Sequence, residues 1–325
     1  MESIQPATVR WEPDPDADPA GYTYTFGGVA PVAQVDPGTL VSTWTMDCFG
    51  GRVRATTDLA SQVCDPRMLN PQSGPFYVTG ARPGDTLAVH FVSITPREGW
   101  GVSSTVPFFG SLTATPTTAM LHSALTERTW IYEIDTHEQV VRYLAADTPF
   151  TATLPLDPMH GTVGVAPALG EVRSSLAPGD WGGNMDTPEM RAGVTCYLGV
   201  NVEGAMFSFG DGHARQGEGE TCGVAVECAM DTVVIADLVK GVPTPWPRIE
   251  SDTEIMTTGS TRPLEDAFRI SHQQMTRWVA ELTGMSELDS YQLVSQASLS
   301  PVANVVDTVR KVLRDAKVGK DEVQG

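Results

Sequence analysis

Glycine and proline recur so often in the first two-thirds of this chain that no long regular element fits there. The 325 residues include 31 Gly and 24 Pro, scattered rather than clustered. Proline lacks a backbone donor and glycine loses the most conformational freedom on ordering, so such a sequence breaks into short pieces joined by turns. The pieces read as strands: Tyr22–Phe26, Val41–Met46, Thr86–Ile94, Thr129–Ile134, Val140–Tyr143, Cys196–Val202, Ala205–Phe209 and Thr232–Leu238. Each is β-branched or aromatic and is bounded by Gly, Pro, Asn or Asp. Many short strands with frequent turn signals predict a sandwich or barrel, not a parallel α/β sheet.

The pattern changes near Pro263. From Leu264 to Leu282 the apolar positions mostly follow helical spacing, Pro263 suits the first helical position, and Gly284 stops the helix. A shorter helix is expected next, with Ser286 as its N-cap and Asp289 three residues on. Val302–Val312 reads equally as a returning strand or a helix, and Val318 to Gly325 as a frayed end. The expected division is a β-sandwich core over residues 1–262 and a smaller mixed α/β part over 263–325.

Bulk properties exclude some functions. Hydrophobic residues, 41% of the chain, suffice for a real core, and a formal net charge of −19 disfavours nucleic acid or an anionic membrane as partner. No stretch approaches the roughly 18 to 20 apolar residues of a membrane span. Cys48, Cys64, Cys196, Cys222 and Cys228 form no CxxC pair, and no secretory segment precedes them. Free thiols in a reducing, cytoplasmic compartment are expected.

The densest chemical constellation is Phe207 to Glu227. Strand alternation puts Phe207, Phe209, Asp211 and His213 on one face, so that Asp211 and His213 are metal-competent groups pointing the same way. Gln216–Glu220 can reverse the chain, and an antiparallel return through Cys222–Cys228 brings Glu227 near Asp211. Asp, His and Glu together suit a divalent ion that activates water. The plainer reading is a turn with a structural histidine. Gly179 to Asp186 and Asp47 with Gly50-Gly51 form two further loops whose carboxylates could serve as ligands or merely cap turns. His90, His122, His137 and His272 read as structural or surface residues. There is no G-x-S-x-G elbow, no Walker or Rossmann glycine motif, no Ser–Lys amidase signature, and no α/β pattern for a Glu–Lys–Cys nitrilase.

At these residues the chain resembles the acetamidase/formamidase family. The resemblance rests on Gly210-Asp211-Gly212-His213-Ala214, Gly217-Glu218-Gly219-Glu220, and Gly223 through Glu227. It extends to Asp47 with Phe49-Gly50-Gly51, Asn70-Pro71 through Gly74-Pro75, Gly84 through Leu87, Gly161 to Pro167, and Gly182 to Asp186, across residues 40 to 315. It implies a jelly-roll-like β-sandwich, a homo-oligomer, a divalent metal (zinc, with calcium as the alternative) and hydrolysis of small aliphatic amides. Carried over by position, Asp47, Asp186, Asp211 and His213 are metal candidates, and Glu220 or Glu227 is the general base. Gly183 and Asn184 stand at the substrate. Gly212, Glu218 and His160 depart from the family pattern, and His160 reads either as a contact to a polar or acidic acyl group or, more plainly, as a loop residue. The rival readings are a lactam hydrolase and a non-catalytic β-sandwich that binds a metal or small ligand.

Overall fold

The structure, a computed structural model, describes residues 7–14, 21–112, 125–306 and 311–319. Two large sheets share one apolar core. The first runs, in spatial order, Thr8–Arg10, Thr39–Thr45, Met230–Val239, Thr86–Pro96, Thr195–Gly199, Arg248–Glu250, Glu254–Thr261 and Lys311–Gly319. The second runs Thr151–Pro155, Val140–Leu144, Arg128–Asp135, Trp100–Thr105, Val226–Glu227, Phe207–Arg215, Met159–Gly164 and Gly182–Asn184. Gln72–Val78 also pairs with Phe207–Arg215 and carries Tyr22–Thr23 and Ala33–Val35 along with it. Pairing is antiparallel except where Thr8–Arg10 and Ala33–Val35 join.

The mainly-β sandwich expected from the turn-rich sequence is what forms. Burial alternates strictly along Thr39–Thr45, so the strand turns Thr39, Val41, Thr43 and Thr45 inward, and neighbouring strands of the first sheet supply most of its apolar face. Leu87, Val89, Phe91, Leu198 and Val234 from that face meet Phe76, Val163, Phe207 and Phe209 from the second sheet. The Phe207 and Phe209 rings stack at 5.3 Å, and Phe91 meets Phe209 edge-on at 6.2 Å. Burying each such side chain contributes about 1.5–3 kcal/mol.

Differences from the expected elements have local causes. Tyr22–Phe26 divides at Tyr24, and its halves join different sheets. The strand expected from Ala205 starts at Phe207, because Ala205 and Met206 take φ of 56° and 57°, and it continues to Arg215. Gln72–Val78 forms a strand despite its Gly74-Pro75 pair, a sequence that reads as a breaker.

The Leu264–Thr283 helix has Pro263 as its N-cap, one position earlier than expected, and ends at Gly284 with φ 72°. Ser286 Oγ accepts from the Asp289 N–H at 3.1 Å and opens the Glu287–Ala297 helix. Met275, Trp278 and Val279 pack with Val294 and Ile255, seating the helices on the Glu254–Thr261 strand. Lys311–Gly319 returns antiparallel to that strand, so pairing extends to Val318 and Gly319, which were expected to fray. Residues 307–310, 320–325 and His122 lie outside the described residues. No described helix is long and apolar enough to cross a membrane.

Candidate active site

Three strand pairings assemble the site. Thr162 on Met159–Gly164 stands opposite Asn184 on one side and Gly210 on the other. Val226–Glu227 flanks Phe207–Arg215 on its far edge and sets Glu227 opposite His213. The expected return of the chain therefore occurs: Glu227 pairs with His213 in register, and its carboxylate comes within 4.8 Å of Asp211 as expected. Asn184, Asp186, Asp211, His213, Glu220 and Glu227 converge on a cavity of about 220 Å³.

The alternation expected through Phe207, Phe209, Asp211 and His213 does not hold along the whole strand. Phe207 and Phe209 belong to the sandwich core, whereas Asp211 and His213 line the cavity. Asp211 takes φ 60°, which breaks the two-residue period. Asn70, Asp186 and Glu220, also at the cavity, have φ of 57°, 47° and 41°. Left-handed backbone is tolerated by Asn and Asp but costs about 1–3 kcal/mol for a residue such as glutamate. Strain thus collects where the chemistry-bearing groups meet. Gly161 is needed for the same convergence. A Cβ there would lie 2.3 Å from Asp186 Oδ1, 2.6 Å from Asp211 Oδ2 and 2.9 Å from His213 Cε1.

A hydrogen-bonded frame orients these groups. Asn70 Nδ2 donates to Asn184 Oδ1 and Thr162 Oγ1, both at 2.9 Å, and the Thr162 hydroxyl reaches Asp211 Oδ2 at 3.1 Å. Asp186 Oδ2 accepts from Asn184 Nδ2 at 3.0 Å and from Asn304 Nδ2 at 2.8 Å. Asn304 Nδ2 also donates to Glu220 Oε2 at 2.7 Å, linking the two carboxylates. Gln216 Nε2 donates to the Asp186 carbonyl, which directs Gln216 Oε1 to accept from His213 Nδ1–H at 2.9 Å. His213 Nε2 then faces the carboxylates, 3.5 Å from Asp211 Oδ1 and 3.3 Å from Glu227 Oε2.

Burial and charge act against each other here. Desolvation disfavours the imidazolium, but Glu227 and Asp211 outweigh it and hold His213 well above its ordinary range. Desolvation likewise works against ionisation of Asp211, yet His213 and the Thr162 hydroxyl bring it below the usual carboxylate value. Glu227 is raised, first by burial and then by Asp211, because His213 offsets these only in part.

The remaining candidates from the sequence fall elsewhere. Asp47 is buried, but its Oδ1 accepts from the Phe49 and Gly51 N–H groups at 2.8 and 3.1 Å, so it caps the turn and does not line the cavity. Gly183 also stands back from the cavity. Its φ of 85° and the Ala177 carbonyl, 2.4 Å from where a Cβ would sit, mark it as a close backbone crossing. His160 faces the sandwich interior against Phe91 and Phe209, with Nδ1 bonded to the Gly210 carbonyl and Nε2 to the Thr232 hydroxyl. Desolvation pushes its pKa down to about 4. It is a neutral core histidine and is not among the residues that line the cavity.

The structure adds residues that the sequence did not single out. Cys48, expected to be an ordinary thiol, places its Sγ within 4.8 Å of an Asp211 and a Glu227 carboxylate oxygen. Gln216 is hidden in a stretch that reads only as a turn. Asn70 and Gly161 fall within the family-like segments without an assigned role. For Asn304 the available signal is a lone amide in a β-branched apolar run.

A divalent cation fits this donor set. Asp186, His213 and Glu220 offer atoms within 4.8 Å of one another, and Asp211 adjoins them. Four carboxylates and one imidazole line the cavity, with no lysine or arginine among its described lining residues. Burying such unmatched charge costs several kcal/mol per ion unless a cation compensates it. Glu227 Oε2, buried and without a hydrogen-bond partner among the described residues, carries the same signature.

Comparison with known proteins agrees with the geometry. The model of the "Acetamidase/Formamidase family" matches residues 25–107 and 101–272. The solved structure of an acetamidase from Yersinia enterocolitica is 35% identical, with a TM-score of 0.91 covering 99% of this chain and 94% of that one. An acetamidase from Bacillus halodurans is 28% identical, with a TM-score of 0.84 covering 97% and 99% of the two chains. The acetamidase of Mycolicibacterium smegmatis is 27% identical over 290 residues, 73% of this chain and 66% of its own length, just short of two-thirds of that relative.

Proposed function

The chain belongs to the acetamidase/formamidase family, and from that premise we propose that its cavity hydrolyses the C–N bond of a small aliphatic amide, giving a carboxylic acid and ammonia. The observation that carries this reading is the convergence of Asp186, Asp211, His213, Glu220 and Glu227 on one cavity. Asp186, Asp211, His213 and Glu220 would hold a divalent cation, with zinc favoured by the mixed N/O donors and calcium second. Such an ion, when bound, supplies Lewis acidity toward the amide carbonyl and water.

The chain's own residues do the rest. Gln216 accepts from His213 Nδ1–H, which leaves Nε2 as the ring atom that would ligate the cation in place of its proton. Asn70, Asn184 and Asn304 hold Asp211, Asp186 and Glu220 in place. Glu227 is the general base. Its Oε1 is anchored by the Ala225 N–H at 2.9 Å, and Oε2 is left to take the proton of the attacking water and pass it to the departing nitrogen.

Free thiols at all five cysteines suit a reducing, cytoplasmic setting. Exposed Phe268, Leu288 and Tyr291 on the two C-terminal helices suit a homo-oligomer. The test is ammonia release from formamide, acetamide and propionamide, before and after chelation. Turnover that chelation abolishes and one metal restores is expected. Turnover unaffected by complete metal removal counts against the cation.

A further inference from the structure

The polar groups account for only part of the cavity wall. Leu69, Val106, Phe109 and Leu176 line the remainder while staying only half-buried, so their apolar surface faces the cavity. They come from separate segments: the end of the Pro66–Met68 turn, the loop after Trp100–Thr105, and the approach to Gly182–Asn184. Gly223 keeps the Phe109 ring in place, since a Cβ at Gly223 would lie 2.4 Å from Phe109 Cε1.

The volume is also larger than a one- or two-carbon acyl group requires. An apolar cavity of about 150 Å³ takes up a benzene molecule, and here the cavity is about 220 Å³. Around acetamide, the apolar wall would face loosely held water, and replacing such water with an apolar group gains affinity. With four carboxylates and no lysine or arginine among the described lining residues, a negatively charged acyl group is repelled.

We propose that this wall is an acyl-chain pocket, and that the chain prefers uncharged primary amides with an aliphatic acyl group of about four to six carbons. The inference rests on the amide-hydrolase reading of the same cavity.

The experiment measures kcat/KM for ammonia release by the zinc-loaded full chain, from formamide through hexanamide. A rise of about fourfold per methylene is expected up to pentanamide. An optimum at formamide or acetamide, with a decline from propionamide onward, overturns the acyl pocket and leaves amide hydrolysis standing. No ammonia from any member overturns the hydrolase reading and this inference with it. Val106→Trp and Leu176→Trp fill the pocket from two separate segments. Each is expected to lower the pentanamide-to-acetamide ratio of kcat/KM at least tenfold. An unchanged ratio in both variants, with native circular dichroism, overturns the assignment of the wall.

Discussion

His160 and His213 sit on neighbouring strands, both almost completely buried, and their pKa values move in opposite directions. His160 lies among phenylalanine rings and is satisfied by a carbonyl and a hydroxyl, so burial alone decides and the ring stays neutral. His213 experiences the same desolvation, but two carboxylates stand within 3.5 Å of Nε2 and reverse the outcome. Depth of burial therefore does not mark the functional histidine. The charge of its neighbours does.

The largest expected effect removes a carboxylate from the charged side. Glu227→Gln keeps the shape and loses the base, so kcat for ammonia release should fall about 10²- to 10⁴-fold. A loss under tenfold would move the base to Glu220. Next comes Gly161→Ala, whose methyl collides with Asp186 and Asp211. A displacement near 1 Å at such a site can cost about 10²-fold. Circular dichroism should stay native while bound metal per chain drops, and full metal content in a folded variant would contradict the crowding.

Asn304→Ala is expected to be milder. It takes a shared donor from Asp186 and Glu220, which should weaken metal affinity about 10- to 100-fold, measured by competition with a chromophoric chelator. The smallest effect on turnover belongs to His160→Gln, within a few-fold of the parent.

That variant sharpens the contrast through stability instead. A folded pKa of about 4, below the unfolded value of about 6.5, means that the unfolded chain binds the extra proton first as pH falls. Stability attached to the neutral ring is whole above the unfolded value and is lost between about pH 6.5 and pH 4. The Tm of His160→Gln should consequently decline less steeply over that window. Parallel slopes in the two proteins would assign the titration to another group.

Much of this arrangement is legible in the sequence, and the illegible part has physical reasons. Short β-branched pieces foretell the sandwich because alternation is a local property, as along Thr39–Thr45. Asp211 and His213 stand out through two-residue spacing and glycine-rich surroundings. The spacing still misassigns their face, because a single left-handed residue at Asp211 changes the phase. Asp47 looks like a ligand until its oxygen is seen capping a turn, a use that leaves the same sequence trace. His160 draws notice as a departure from the family pattern, and nothing in its local sequence shows that its ring packs against the opposite sheet. Gln216 leaves no trace and Asn304 only a faint one, since their importance lies in contacts made across 30 and 118 residues of chain.

Asn304 follows both C-terminal helices in the chain, yet its amide bridges two carboxylates of the cavity. A ribosome makes the chain in one direction, so the strands that carry Asp211, His213 and Glu227, and the loop that carries Asp186, emerge while that bridge is still unmade. Until residue 304 arrives, Asp186 and Glu220 lack the donor that ties them together. The hydrogen-bonded frame around Asp186 and Glu220 is thus completed only after both helices that precede Asn304 have been made.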